Sequence, residues 1–106
     1  MKLIIAVISR EDTEKTLASI TEAGFRATKL SSSGGFLRTG NTTLLMGVEE
    51  DRLDELKAIF SDKSGRRKTT TSPIFHAGES VVTPLIETST GGATLFVLDV
   101  GEIIHL

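Results

Sequence analysis

The chain opens on an unbroken apolar run, Leu3 to Ile8, within KLIIAVI at 2–8. A continuous aliphatic and β-branched run of this length predicts a strand in the centre of a sheet. Polarity then switches at Ser9, Arg10, Glu11 and Asp12. Ser9 and Asp12 have the spacing of a helix N-cap with an acid at its third position. Residues 11–23 therefore read as a helix, with Leu17 and Ile20 on one face. Gly24 falls where a helix is expected to stop, because glycine takes φ > 0 at little steric cost. Residues 25–32 (FRATKLSS) read as a second strand, Phe25 and Ala27 facing one way and Arg26, Thr28 and Leu30 the other. A glycine-rich connection leads to a third strand at 41–48 (NTTLLMGV). Glu49, Glu50 and Asp51 suit a helix N-terminus, and Leu53, Leu56 and Phe60 give 49–62 the apolar stripe of a second helix. Ser64-Gly65 ends it. Arg66 to Ser72 is a polar, threonine-rich strand. Residues 73–92 hold Pro73, Gly78, Pro84, Gly91 and Gly92, and read as a long loop with room for a short hairpin. Residues 93–100 (ATLFVLDV) form the last main strand, and 103–106 (IIHL) a further short one.

The order β-α-β-β-α-β predicts an α+β, ferredoxin-like sandwich, an antiparallel sheet with both helices on one face. The other face has no local cover. Leu30, the apolar positions of 43–48 and the 93–98 strand carry more hydrophobicity than one helix layer can bury. That excess predicts burial of the open face against other subunits, in a closed symmetric oligomer.

Composition narrows the function classes. The 106 residues make one domain. Twelve basic against fourteen acidic residues leave a net charge of −2, an ordinary surface with no basic face for a nucleic acid polymer. A local cationic patch for a small phosphate ligand remains allowed. Without cysteine there is no disulfide, thiol nucleophile or zinc finger. The opening apolar run is too short for a membrane span or a signal core, so the chain reads as cytoplasmic and not membrane-inserted. His76 and His105 stand alone, which argues against a metal site. Ser31 to Ser33 and Thr69 to Thr71 have no neighbouring base, so the chain reads as no enzyme and as needing no cofactor.

The candidate chemistry gathers around GGFLRTGN at 34–41. Glycines let backbone N–H groups turn toward an anion, Arg38 adds a positive charge, and Phe36 and Leu37 offer a surface on which a base can stack. The same residues would also serve as a plain strand connection. The spacing matches neither a P-loop nor a dinucleotide-binding fingerprint. Arg26, in mid-strand beside Thr28, needs an anionic or hydrogen-bonding partner, either a ligand phosphate or base edge or an acid of another subunit. Asn41 either caps the loop or presents its amide to a base edge. Gly47 inside a strand marks either a close approach or a β-bulge. Arg66, Arg67 and Lys68 read as a solvated strand start, the other reading being docking to an anionic partner.

Taken together, FRATKL at 25–30, GGFLRTGNTT at 34–43, GVEEDRLDEL at 47–56 and GGAT at 91–94 with Phe96 and Val97 resemble the PII-like cyclic di-AMP receptors along nearly the whole chain. The resemblance implies a single PII-like domain over 1–106, a homotrimer, and one cyclic di-AMP in each cleft between subunits. A short loop at about 33–40 and a long one at about 73–92 would flank the cleft. Carried over by position, Arg26 and Thr28 meet the ligand from the second strand. Gly35, Phe36, Leu37 and Arg38 enclose it, with Phe36 against an adenine. Asn41 bonds an adenine edge, Gly47 leaves space beside it, and Gly92 and Phe96 line the far side from an adjacent subunit. Two departures stand out: Gly24 replaces a polar residue that holds the base in some relatives, and the long loop is shorter. The implied function is signal transduction, in which ligand reorders the loops and an unidentified downstream protein reads the change. The alternatives are a sensor of ATP or ADP and a structural trimer without a small ligand.

Overall fold

The computed structural model describes residues 1–30, 40–71, 75–77, 80–82 and 86–106. Residues 31–39, and with them Gly35, Phe36, Leu37 and Arg38, lie outside the described residues.

The main sheet is built from β1 (Lys2–Ser9), β2 (Thr28–Leu30), β3 (Asn41–Val48) and β8 (Ala93–Asp99). Its spatial order is β2-β3-β1-β8, with every pairing antiparallel. Helices α1 (Thr13–Glu22) and α2 (Leu53–Ser64) are each preceded by a 3-10 turn, at Arg10–Asp12 and Glu50–Arg52. The architecture is ferredoxin-like, with the split β-α-β pairs that the pattern predicts.

Alternation along each strand separates the two faces. Ile4, Ala6 and Ile8 of β1 and Leu44, Met46 and Val48 of β3 are buried beneath the helices, against Ile20, Leu56 and Phe60. The odd positions of both strands face the other way.

Helix α1 ends as the sequence predicts. Gly24 has φ of 88°. Its N–H donates to the Thr21 carbonyl and the Phe25 N–H to that of Ile20, both at 3.0 Å, which is a Schellman closure.

Three predicted elements are redrawn. The second strand keeps only Thr28–Leu30 of the predicted 25–32. Phe25 instead turns into the core, and the Arg52 guanidinium lies 4.0 Å from its ring centroid while donating to the Ala23 carbonyl at 2.8 Å. A residue recruited to seal a helix end cannot also extend a ladder. The segment 73–92 holds strands as well: β5 (Phe75–Ala77) pairs with β6 (Ser80–Val82), and β7 (Ile86–Thr90) pairs with β4 (Arg67–Thr71). This hairpin shares no ladder with the main sheet among the described residues. Residues 103–106 form no strand, and Ile103, Ile104 and Leu106 are exposed.

Candidate ligand site

The open face of the sheet carries four of the six predicted site residues that are described, Thr28, Asn41, Gly47 and Phe96. Thr28 pairs with Leu45, Leu45 with Ile5, and Ile5 with Phe96. Directly paired residues point to the same side. Thr28, Leu45, Ile5 and Phe96 therefore form one row across all four strands, about 14 Å long at about 4.8 Å per step. Gly47, Leu3 and Leu98 make the next row, and Asn41 and Ser9 share the face at its other end. The face is uncovered: Leu30, Phe96 and Leu98 are 42%, 47% and 45% exposed.

Gly47 sits in an unbroken register, from Lys2 opposite Val48 to Ser9 opposite Asn41, so there is no bulge. A Cβ built on Gly47 would meet only the Met1 Sδ, at 3.5 Å. Nothing among the described residues requires glycine there.

Arg26, Thr28 and Gly47 line one open cavity of about 630 Å³, with Phe25, Leu3 and Leu45. Arg26 is exposed and has no ion-pair partner among the described residues. Asn41 and Gly92 line a different cavity of about 620 Å³ at the start of β8, together with Gly91, Thr94, Lys57 and Arg66. Each is of a size that holds a small molecule. Five of the six described site residues thus fall into two groups, and Phe96 lines neither cavity. Gly47 and Asn41 stand six residues apart on β3, about 20 Å at about 3.3 Å per residue, so within one chain Gly47 does not lie beside an adenine held by Asn41.

Gly92 has φ of 119°, and its N–H donates to the Ser64 carbonyl at 3.0 Å. It therefore closes the end of α2 and offers the cavity a bare Cα.

Sequence reasoning missed the ion cluster behind this second cavity. Asp12 does not cap α1. It is 1% exposed and accepts from Arg67, at 2.6 Å from Nη2 and 3.2 Å from Nη1, with Lys15 Nζ at 3.0 Å. The 3-10 turn puts Ser9 before Arg10 and Asp12 directly before α1, and neither side chain makes a cap hydrogen bond, the Asp12 backbone being already in the αR region. Arg67, read as a solvated strand start, is in fact a fork on a buried carboxylate. A ladder that brings residues 55 apart together leaves no local trace.

Hydrogen bonds from Arg67 hold the Asp12 carboxyl below the usual carboxylate range, with burial opposing and Lys15 assisting. A group whose pKa falls on folding adds stability above its unfolded value, about 3.9, and loses it as pH drops through the folded value. Below about pH 4 the wild-type Tm is expected to fall in a way that Asp12→Asn protein, already lacking the charge, does not show. Melts from pH 7 to pH 3 followed by circular dichroism measure this. The exposed Lys2–Asp99 pair has the same sign and adds little.

A model of the cyclic-di-AMP receptor family matches residues 1–106, the whole chain. The chain belongs to that family. A crystal structure of a functionally unknown protein from Pediococcus pentosaceus is similar to this receptor-family chain, with 34% identity and a TM-score of 0.76. The match covers 99% of this chain and 96% of that one. Among the described residues the chain has no cluster of His, Cys, Asp or Glu suited to a metal, and no helix long and apolar enough to cross a membrane.

Proposed function

We propose that this chain is a cytoplasmic sensor of cyclic di-AMP that takes its ligand between neighbouring subunits of a homotrimer and signals to a protein partner through its loops. Membership of the receptor family supports the ligand class. The observation that carries a site between subunits is the separation of Arg26, Thr28 and Gly47 from Asn41 and Gly92. The first half-site opens on the bare sheet face near its β2 edge and the second lies beside α2 near the β8 edge, so the two become one site when one edge of a copy meets the opposite edge of the next. Phe96 and Leu98 supply surface for that contact.

The charge distribution fits a ligand with two phosphates. Arg26 stands in one half-site, and Lys57 and Arg66 in the other. Asn41 suits a base edge, and the bare Cα positions of Gly47 and Gly92 admit flat groups closely. Gly35, Phe36, Leu37 and Arg38 complete the enclosure in this reading. Ligand then favours one arrangement of the loops because it contacts them unequally in the two states.

Calorimetric titration with cyclic di-AMP, with cyclic di-GMP as control and ATP as competitor, tests the reading. Saturable heat at one ligand per chain is expected, with cyclic di-GMP silent and ATP unable to compete. No heat at high micromolar ligand sinks it, and displacement by ATP favours an ATP or ADP sensor. Arg26→Ala is expected to weaken binding about tenfold to a hundredfold, since a hydrogen bond to a charged group contributes about 1.5–3 kcal/mol. Its Tm should stay close to wild type, because Arg26 is exposed.

A further inference from the structure

Residues 10–13 touch both segments that frame the second half-site. The Arg10 N–H donates to the Gly40 carbonyl at 2.9 Å, immediately before Asn41. Thr13 Oγ1 donates to Thr42 Oγ1 at 2.9 Å, immediately after it. Between them Asp12 receives Arg67, the first residue of β4. Arg67 Nη1 also donates to the Gly65 carbonyl at 3.3 Å, and Glu11 lies 4.0 Å from Nη2. Gly91 closes the cluster from above. A Cβ there would come within 2.8 Å of Arg67 Nη1, 2.9 Å of the Gly65 carbonyl and 3.2 Å of Asp12 Oδ2. Neither Asp12 nor Arg67 lines either of the two cavities described above.

We propose that the Asp12–Arg67 pair, sealed by Gly91, is a positioning device for ligand binding, which fixes the root of the β4–β7 hairpin, and with it Gly92, relative to Asn41. The inference rests on the cyclic di-AMP reading of the same site and deepens it, because it assigns a role to two residues that do not touch the ligand. The physical case is the burial of the carboxylate. An apolar pair would hold two segments together without desolvating a charge. A two-pronged guanidinium–carboxylate contact adds what apolar packing lacks, a single allowed orientation. That orientation is imposed at the root of the hairpin, which shares no ladder with the main sheet among the described residues. Asp12 also holds Lys15, so the carboxylate stays compensated if Arg67 moves, whereas the hairpin root does not stay oriented.

The test compares wild type with Arg67→Lys, Asp12→Asn and the double variant, each well below its own Tm. Arg67→Lys keeps the charge and loses the fork. Two quantities are read: affinity for cyclic di-AMP, and hydrogen exchange of the Gly92 amide without ligand. Each single variant is expected to weaken binding at least tenfold and to speed Gly92 exchange at least tenfold. The double variant should be no worse than the worse single one, because the two residues act as a unit. Fully folded variants that bind as wild type, with unchanged Gly92 exchange, overturn the proposal. Wild type that takes up no ligand overturns the receptor reading instead, and the exchange rates then still decide whether the pair holds the hairpin root.

Discussion

Replacing Gly47 with valine is expected to abolish or severely weaken ligand binding while leaving the fold intact or slightly more stable. The two effects have opposite signs for one physical reason. Gly47 stands in a regular antiparallel ladder, between Met46 and Val48, both buried on the other face. The fold would accept a side chain there, since among the described residues only the Met1 Sδ comes as near as 3.5 Å. A β-branched residue in a strand gains over glycine in backbone entropy and in strand preference, roughly 0.5–1 kcal/mol. The same methyl groups would fill the cavity lined by Arg26 and Thr28. Forcing atoms into an occupied site costs about 1–3 kcal/mol, or roughly tenfold to a hundredfold in affinity. Thermal melts and cyclic di-AMP titrations of the same preparation measure both, and sedimentation checks that the assembly is unchanged. A Gly47→Val protein that is folded and binds as wild type removes Gly47 from the site.

Gly91→Val carries the largest expected loss of stability. The backbone there has φ of 77°, a region that a β-branched residue scarcely enters. The added atoms would also overlap the Arg67 guanidinium and the Gly65 carbonyl. Left-handed strain of about 1–3 kcal/mol and the disrupted ion pair add together. A Tm lower by roughly 10 °C or more follows, at about 4–8 °C per kcal/mol for a domain of this size. Gly92→Ala separates the two contributions. It shares the positive φ, but a Cβ there meets nothing within 4 Å, so it should show the strain alone. Equal Tm losses in the two variants would mean that the crowding over Asp12 and Arg67 contributes nothing.

Much of the architecture was legible because it is written in short-range periodicity. The third strand runs over Asn41–Val48 as its alternation predicts, and Gly24 closes α1. The surplus of apolar positions correctly marked the face that the helices leave bare, where Phe96, Leu98 and Leu30 stand exposed. Residues 73–92 misled because proline and glycine punctuate them, while the threonine-rich pairing of β4 with β7 becomes favourable only once both strands exist. Asp12 misled because its capping spacing from Ser9 is real, yet the intervening 3-10 turn hands its carboxylate to a distant arginine.

The sequence by itself determined the order of the main-sheet strands and the two helices, the amphipathic faces of both helices and the odd and even sides of the central strands, since all follow from the spacing of side chains along a single stretch of backbone. Only the tertiary structure decided which site residues share a cavity. It set Gly47 with Arg26 and Thr28, and Asn41 with Gly92, because strand register and the closing of the hairpin root bring together residues separated by tens of positions. It also decided that Arg67 serves Asp12, since a buried carboxylate takes its partner from whatever the fold brings within reach.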